Sequence, residues 1–259
     1  MLKGKTAIIT GSTSGIGLGI AQGFAKAGIN IVMNGLSGGD DVEASRAALE
    51  AQGVKAVFHP ADMTKPDQVT ALVEDTVKEF GSIDILVNNA GIQNVDPIEE
   101  FPPGKWDAII AINMSSAFHT TRAAVPHMRK QGWGRIINIA SAHGLVASPY
   151  KSAYVTAKHG MMGFTKTIGL EVAQDNITCN AICPGYVKTP LVEGQIADTA
   201  EARGISEKEV VEDVLLKAQW TKKFVTVEQL AGTALFLCSD AAENITGTHI
   251  AVDGGWTAA

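Results

Sequence analysis

The chain has little cysteine and no long apolar run. Its 3 cysteines are Cys179, Cys183 and Cys238. They are too few for a disulfide framework and lack the spacing of a metal-binding or redox pair, so we expect reduced thiols and a cytoplasmic protein. The histidines show no ligand spacing either, and we predict no metal site. No run approaches the roughly 18 apolar residues that a membrane span needs, so no membrane partner is expected.

Excess positive charge is also missing. The 259 residues carry a net charge of −6, which argues against nucleic acid or an anionic membrane surface as the main partner. A hydrophobic content of 46% is enough for one large core, which favours a globular protein. The apolar stretch 6–10 runs into a glycine-rich turn, so it is interpreted as a first strand rather than a signal peptide.

Short β-branched segments alternate with longer helical patterns along the whole chain. Segments 83–88 and 134–140 are largely apolar, which is typical of parallel strands buried on both faces. The alternation predicts an α/β fold with one domain, residues 1–259, built as a doubly wound (Rossmann-type) parallel sheet with helices on both faces. The predicted strands are 6–10, 30–34, 54–59, 83–88, 134–140, 177–182 and 248–252, and the predicted helices are 15–27, 40–52, 66–80, 105–131, 152–174 and 227–237.

One charged helical segment, about 187–219, interrupts this rhythm after the sixth predicted strand. Doubly wound folds bind ligands at the carboxyl ends of their strands, and long insertions there often cover a ligand. We therefore predict a helical substrate lid, with an outer helical hairpin without a catalytic role as the alternative.

A glycine-rich turn follows the first predicted strand. Gly11 permits a tight turn, Gly15 allows the backbone to approach a pyrophosphate, and Gly17 allows close packing at the start of the helix. The free N–H groups at the amino end of that helix would face the phosphates. This arrangement predicts a dinucleotide site that also includes Thr13, Ser14 and Ile16.

The end of the second predicted strand separates NAD from NADP. A carboxylate there would bind a free ribose diol, and a basic residue would pair with a 2′-phosphate. The chain has Asn34, Gly35 and Leu36, which are neither, and it has no basic residue at the glycine-rich turn. The absence of a cation favours NAD, although Lys3 or Lys5 could reach round to a phosphate.

Tyr154 and Lys158 are four positions apart, so they share one face of a predicted helix. There we expect the ammonium group to lower the pKa of the phenol, so that Tyr154 can exchange a proton with an alcohol as general base or acid. Ser141 would hydrogen-bond the reacting oxygen. Such a pair by itself is common and is also typical of an ordinary helix surface.

Taken together, these motifs resemble the short-chain dehydrogenase/reductase family over nearly the whole chain. The matching residues are Thr10, Gly11, Gly15, Gly17, Asn88, Asn89, Ala90, Gly91, Asn113, Ser141, Tyr154, Lys158, Pro184 and Gly185. The resemblance implies a catalytic set of Asn113, Ser141, Tyr154 and Lys158, in which Lys158 also holds the nicotinamide ribose and Asn113 supports a water-mediated proton path. It further implies cofactor contacts at Leu36, Asp62, Met63, Asn89, Ala90, Gly91, Pro184, Gly185, Val187 and Thr189.

Residues outside this shared set would select the substrate. A lysine, a histidine and two amides near the catalytic set would suit a small carboxylate, although each is also typical of a solvated surface. Within the family, the bacterial D-3-hydroxybutyrate dehydrogenases resemble this chain in the stretches 89–93, 141–146, 151–154, 189–195 and 252–256. That resemblance implies (R)-3-hydroxybutyrate, a small 3-hydroxy acid, as substrate, with contacts from Gln93, His143, Lys151, Gln195 and Trp256 beside Ser141 and Tyr154.

Two alternatives stay open at this point. A 3-oxoacyl-thioester reductase would share the fold and the catalytic set, and a non-catalytic dinucleotide sensor would share the fold. The resemblance also implies a homotetramer built through the predicted helices 105–131 and 152–174. The small residues Ala153, Ala157, Gly160 and Gly163 would permit such packing, but packing within one chain explains them equally well.

Overall fold

A seven-stranded sheet, parallel throughout, forms the centre of the protein. The computed structural model describes residues 2–189, 192–193, 196–197, 200–201 and 204–259. The spatial order of the strands is β3-β2-β1-β4-β5-β6-β7, so the chain starts in the middle of the sheet and winds outward in both directions. The strands are β1 Thr6–Ile9, β2 Asn30–Asn34, β3 Ala56–His59, β4 Ile85–Asn88, β5 Gly134–Ile139, β6 Ile177–Pro184 and β7 His249–Val252.

Helices cover both faces of this sheet. The helices are α1 Gly15–Lys26, α2 Asp40–Glu50, α3 Pro66–Phe80, α4 Pro103–Ile110, α5 Ser116–Gln131, α6 Ser152–Glu171, the one-turn α7 Glu207–Glu209 and α8 Val227–Cys238. The predicted doubly wound fold is therefore confirmed.

Two buried clusters account for the layering. One cluster packs α1 and α8 against the sheet through residues such as Phe24 and Leu230. The other packs α3 and α5 against the opposite face through residues such as Leu72 and Met128. Because both faces are covered, strands β1, β4, β5 and β6 are buried at every position, which explains their nearly continuous apolar sequences.

Several predicted boundaries were wrong by one to three residues. Strand β6 continues to Pro184, because it lies between two strands and Pro184 pairs in register with Val252 of β7. Strand β3 begins only at Ala56, because it is an edge strand with β2 as its single neighbour. The predicted helix 105–131 is α4 and α5 joined by the π-helical turn Ala111–Ser115, which periodicity did not indicate.

The insertion is anchored at its base. Val187 and Val225 form a parallel bridge, with Lys188 N–H donating to the Val225 carbonyl at 3.0 Å. The returning segment contains α7 and the π-helical turn Val210–Leu215. Part of the predicted lid lies outside the described residues, so its role as a lid stays a prediction.

The small residues of α6 are used mainly inside the chain. Ala153 and Ala157 are buried in a cluster with Phe101 and Ile109, and a Cβ on Gly160 would collide with Met114. Gly163, in contrast, faces open space. Among the described helices, none is long and apolar enough to cross a membrane.

Candidate active site

A cleft of about 1000 Å³ opens along the carboxyl ends of the strands. It passes the glycine-rich turn, crosses the ends of β4 and β5, and ends beside α6 and the carboxyl terminus. Most of the predicted site residues line it: Gly11, Thr13, Ser14, Gly15, Ile16, Leu36, Asp62, Met63, Asn89, Ala90, Gly91, Gln93, Ser141, His143, Lys151, Tyr154, Lys158, Gly185, Val187, Thr189 and Trp256.

Four predicted site residues are not part of this lining. Gly17, Asn113 and Pro184 lie behind the cleft wall, and Gln195 lies outside the described residues. A Cβ on Gly17 would come within 2.6 Å of the Asn89 amide nitrogen, so this glycine allows the turn and the β4 end to pack together. Gly17 thus shapes the site from outside.

The first turn is suited to a pyrophosphate. Gly11 and Gly15 have φ angles of +60° and +55°, which side-chain-bearing residues rarely adopt. Ser14 precedes α1 without capping it by its side chain, and the first turn of α1 contains no acidic residue. The N–H groups and the positive end of the helix dipole are therefore available to an anion, which fits the diphosphate of a dinucleotide.

Asn34 holds this turn in place. Its carbonyl Oδ1 accepts from Gly11 N–H at 3.1 Å, and its Nδ2 donates to the carbonyls of His59 and Ala61 at 3.1 and 3.0 Å. The Ser12 hydroxyl accepts from Asn34 N–H at 3.0 Å. The end of β2 is therefore committed to supporting the turn, and sequence reasoning had considered Asn34 only as a missing carboxylate.

The end of the cleft that Leu36 and Asp62 line carries negative and apolar groups. Asp62 accepts from the Thr64 N–H and hydroxyl at 2.8 Å each, and these hydrogen bonds lower the pKa of its carboxyl group. Leu36 is 74% exposed beside it. Within the described lining, the lysines are Lys151 and Lys158, both at the opposite end, so the lining itself contributes no cation here. Lys65, which is not part of the lining, lies near enough to Asp62 to lower the pKa of its carboxyl group slightly as well.

Tyr154 and Lys158 project from α6 into the cleft. The Lys158 Nζ lies 5.6 Å from the centroid of the Tyr154 ring and donates to the Ile139 carbonyl at the end of β5, at 2.7 Å. Lys158 is 4% exposed, and burial lowers its pKa to about 8. The two side chains thus share one helix face, and the lysine is held by the sheet edge.

The pKa of Tyr154 corrects an expectation. Burial raises it, and the Ser141 hydroxyl lowers it by hydrogen bonding without reversing the shift. The expected net lowering by Lys158 was wrong, because the desolvation of the phenolate dominates and because burial also weakens the lysine's own charged form. In the protein itself, Tyr154 is a phenol that holds its proton.

Ser141 and Asn113 are placed by backbone contacts. The Ser141 Oγ accepts from His143 N–H at 3.1 Å, at the start of the short turn Ala142–Gly144. Asn113 lies in the π-helical turn, where its amide exchanges two hydrogen bonds of 2.9 Å with the backbone of Ile92. Asn113 therefore fixes the loop that carries Gln93, and its predicted proton-path role stays a prediction.

Aromatic side chains form the wall at the catalytic end. The Tyr186 and Trp256 rings stack with centroids 5.6 Å apart and an interplanar angle of 9°. His143 meets the Trp256 ring edge-to-face at 5.0 Å and the Tyr154 ring at 6.0 Å. The sequence analysis did not assign Tyr186 to the site, and the available signal was an aromatic residue directly after Gly185.

Lys151 and His143 differ in charge. Burial and the nearby Lys151 lower the pKa of His143 to about 4, so the imidazole is neutral at pH 7, and its Nε2 lies 2.8 Å from the Ser148 hydroxyl. Burial also lowers the pKa of Lys151, whose Nζ lies 5.9 Å from the Tyr186 ring centroid. Beside Lys158, this end of the cleft therefore offers a second lysine, Lys151, together with one neutral imidazole and an apolar wall.

Metal chemistry has no visible support in the described part of the chain. There, no group of three or more His, Cys, Asp or Glu side chains is arranged to hold a metal ion. All three cysteines are buried thiols, and burial raises their pKa values to between about 11 and about 12.

Comparisons with known proteins agree with this geometry. Residues 5–200 match the family model described as short chain dehydrogenase. The chain is 60% identical to a D-beta-hydroxybutyrate dehydrogenase of Rhizobium meliloti, covering 98% of this chain and 99% of that protein. It is 52% identical to a D-beta-hydroxybutyrate dehydrogenase of Cupriavidus necator, covering 100% of both chains.

A solved structure supports the same assignment. The crystal structure of a short-chain alcohol dehydrogenase from Sinorhizobium meliloti 1021 superimposes with a TM-score of 0.90 at 32% identity, covering 100% of this chain and 98% of that one. Membership in this family implies an oxidoreductase with a nicotinamide dinucleotide cofactor and a small-molecule substrate. The chain therefore belongs to the short-chain dehydrogenase family.

Proposed function

We propose that the protein catalyses the reversible, NAD-dependent oxidation of (R)-3-hydroxybutyrate to acetoacetate. The observation that carries this proposal is that Lys151 and His143 lie beside Tyr154 and Ser141, in a cleft that Gln93 also lines. The names of the two relatives at 60% and 52% identity point to the same substrate.

Lys151, at the end of the cleft near Tyr154, suits a substrate with a free carboxylate. Lys151 can form a charge-assisted hydrogen bond with it, which is about twice as strong as a neutral one. Partial burial strengthens the attraction, because the local dielectric is lower than that of water. Gln93 and the neutral His143 add uncharged hydrogen-bonding groups that orient the acid.

The aromatic wall suits a short carbon chain. The stacked Tyr186 and Trp256 rings lie next to His143, so the space beyond Tyr154 is bounded by flat apolar surfaces. A methyl group can pack there, and a long acyl chain would have to displace an aromatic ring. We therefore propose a small 3-hydroxy acid as substrate.

The protein's own residues handle the proton. When bound, NAD supplies hydride acceptance at its nicotinamide ring and brings a positive ring charge into the cleft. In reduction, Tyr154, whose pKa burial raises, donates its proton to the carbonyl oxygen. In oxidation, Tyr154 must first have lost its proton, and its phenolate then takes the proton of the alcohol. Ser141 holds the reacting oxygen by hydrogen bonding, and Lys158, fixed by Ile139, places a positive charge near the phenol.

The charge distribution favours NAD over NADP. A 2′-phosphate near Leu36 would meet no cation in the described lining, and it would share this end of the cleft with the ionised carboxylate of Asp62. An uncompensated phosphate in such a place is unfavourable. The same contrast weighs against a reductase that depends on NADPH.

A thioester reductase remains the rival activity. A 3-oxoacyl-[acyl-carrier-protein] reductase of Staphylococcus epidermidis is 34% identical to the chain. A thioester has no free carboxylate, so Lys151 would be left without a partner in the cleft. A long acyl carrier arm would also need an opening beside the Tyr186 and Trp256 rings.

We also propose that the chain forms a single domain and assembles as a homotetramer. The described core clusters are continuous with one sheet, which supports a single domain. On α5 the Phe118 ring is 49% exposed, and on α6 Gly163 faces open space, which supports a contact between copies through these helices.

The three reduced thiols support a cytoplasmic location.

A substrate panel tests the proposed activity. We expect turnover of (R)-3-hydroxybutyrate with NAD, little with the S enantiomer, and a markedly lower kcat/KM with NADP or with a 3-hydroxyacyl thioester. A higher kcat/KM for the thioester than for the free acid would contradict the proposal.

A further inference from the structure

Gln219 is a buried polar residue at the base of the insertion. Its side chain is 0% exposed. The Oε1 atom accepts a short hydrogen bond from Tyr186 N–H, and the Nε2 atom donates to the Lys223 carbonyl at 2.7 Å. Gln219 therefore joins the turn after β6 to the segment that leads out of the insertion.

Two glycines pack closely against the Gln219 side chain. A Cβ on Gly185 would collide with the Gln219 amide, and a Cβ on Gly254 would come within 3.3 Å of the Gln219 Cβ. Gly254 also has a φ of +62°. Gln219 thus fills the space between the turn after β6 and the turn after β7.

Each of these turns carries one ring of the aromatic wall. Tyr186 follows Gly185, and Trp256 follows Gly254 and Gly255. The second turn is closed by Asp253, which accepts from the N–H groups of Gly255 and Thr257 at 3.0 and 2.9 Å. The relative position of the Tyr186 and Trp256 rings therefore depends on Gln219, which fills the space between the two turns.

We infer that Gln219 is a positioning residue that sets the aromatic wall at the substrate end of the cleft. This inference rests on the proposed function. Gln219 acts through the backbone N–H of Tyr186 and touches neither substrate nor cofactor. Without its amide, that N–H loses its partner and the Tyr186 turn shifts to find another, which displaces the Tyr186 ring from Trp256.

The decisive experiment is a double-mutant cycle between Gln219→Met and Tyr186→Ala. For the single variant Gln219→Met we expect a KM for (R)-3-hydroxybutyrate about 10-fold higher, with kcat and the Kd for NADH changed less than about 3-fold. The ratio of kcat/KM for (R)-3-hydroxypentanoate to that for (R)-3-hydroxybutyrate should rise, because a displaced wall admits one more methylene. In the Tyr186→Ala background, Gln219→Met should have almost no further effect on KM or on this ratio.

Gln131→Met is the matched control. Gln131 is an exposed glutamine at the opposite edge of the sheet, and its Nε2 donates to the carbonyls of Ile83 and Trp133 at 2.8 and 2.9 Å. Its loss should lower thermal stability without changing the KM or the chain-length ratio. If Gln219→Met does not fold, Gln219→Asn, which is shorter by one methylene, takes its place in the same cycle.

The outcomes separate this inference from the proposed function. An unchanged chain-length ratio in the folded Gln219 variant, or fully additive effects in the cycle, would overturn the positioning role. Failure of the wild-type protein to oxidise 3-hydroxybutyrate would instead overturn the substrate. The cycle would then be run with the hydroxy acid of the panel that the wild type oxidises best.

Discussion

The two edges of the central sheet differ in whether their lysines are paired with a carboxylate. At the amino ends of the strands, Lys5 and Arg135 both lie over the Trp133 ring, with their charged groups 4.1 and 4.5 Å from its centroid. At the carboxyl ends, Lys151 and Lys158 face a cleft. The first edge uses its charges for stability, whereas the second keeps them available to a ligand.

At the amino edge the charge of Lys5 is compensated by a carboxylate, whereas Arg135 is buried, burial lowers its pKa, and it donates to the backbone carbonyls of Gly134 and Asn176. The Asp84 carboxylate accepts from the Lys5 Nζ and from Thr6 N–H, both at 2.8 Å, and from the Ser82 hydroxyl at 3.0 Å. One carboxylate thus joins the start of β1 to the start of β4. Such a network, partly removed from solvent, stabilises the order of the strands.

The carboxyl edge is not compensated. Among the described residues, neither Lys151 nor Lys158 has a carboxylate among the groups that shift its pKa, and burial lowers the pKa of both. Burying a cation without an anion costs stability. Functional sites often depart from the rules that stabilise the rest of a fold, and the substrate carboxylate is the anion that Lys151 lacks.

The largest effect is expected from Tyr154→Phe, which removes the proton-transfer group from the carboxyl edge. We expect kcat to fall by about 10³-fold, within the usual range for losing a general acid or base. NADH binding, followed by fluorescence titration, should persist. Tyr150→Phe is the matched control, since Tyr150 is 58% exposed and should leave kcat unchanged. Undiminished turnover in Tyr154→Phe would remove the proton-transfer assignment.

A second prediction uses the uncompensated charge of Lys158. Its pKa is about 8 in the folded protein, below the 10.5 of an unperturbed lysine, so between these values the unfolded state binds more protons. The burial cost is therefore fully present below pH 8 and is relieved as the pH rises. Relative to Lys158→Met, the wild-type protein should gain about 2 kcal/mol in unfolding free energy between pH 8 and 9.5.

Urea unfolding at one fixed protein concentration measures this gain. Lys5→Met serves as the comparison, because Lys5 at the amino edge is paired with Asp84. A difference between wild type and Lys158→Met that stays constant with pH would mean that the lysine is not buried as a cation.

The third prediction concerns the carboxylate site. Replacing Lys151 with Met should raise the KM for (R)-3-hydroxybutyrate by about 30-fold, equivalent to ~2 kcal/mol for a lost hydrogen bond to a charged group. The Kd for NADH should change little. Lys166→Met, an exposed lysine on the same helix α6, should leave the KM as it is. Steady-state kinetics that give the same KM for both variants would rule out Lys151 as the carboxylate ligand.

The smallest effect on activity is expected at the amino edge, where a substitution should change stability alone. Asp84→Asn removes the charge that Lys5 and Thr6 share, and we expect a loss of about 2 kcal/mol in unfolding free energy with kcat unchanged. Asp75→Asn, on a side chain that is 61% exposed, should alter neither quantity measurably. A loss of activity in folded Asp84→Asn would show that the two edges are coupled.

Local patterns were enough for much of the fold and of the cofactor site. Gly11 and Gly15 could be assigned because their backbone angles depend on neighbours in sequence, and the pairing of Tyr154 with Lys158 follows from the helical repeat. Asn34 and Gln219 could not be assigned in this way. Their side chains bond to residues 23 to 33 positions away, and only the folded chain brings these partners together.

The direction of the Tyr154 pKa shift likewise could not be predicted from the sequence. Sequence spacing gives the distance between the phenol and the lysine, but desolvation depends on how the surrounding segments close over both.

By itself, the sequence determined the alternation of strands and helices, the glycine-rich turn and the face shared by Tyr154 and Lys158, because these features depend on short-range periodicity and backbone freedom. The tertiary structure alone decided which charges are compensated, how Tyr186 and Trp256 meet, and what holds them there. The reason is physical: burial and the contacts between the ends of distant strands arise only when the whole sheet has assembled.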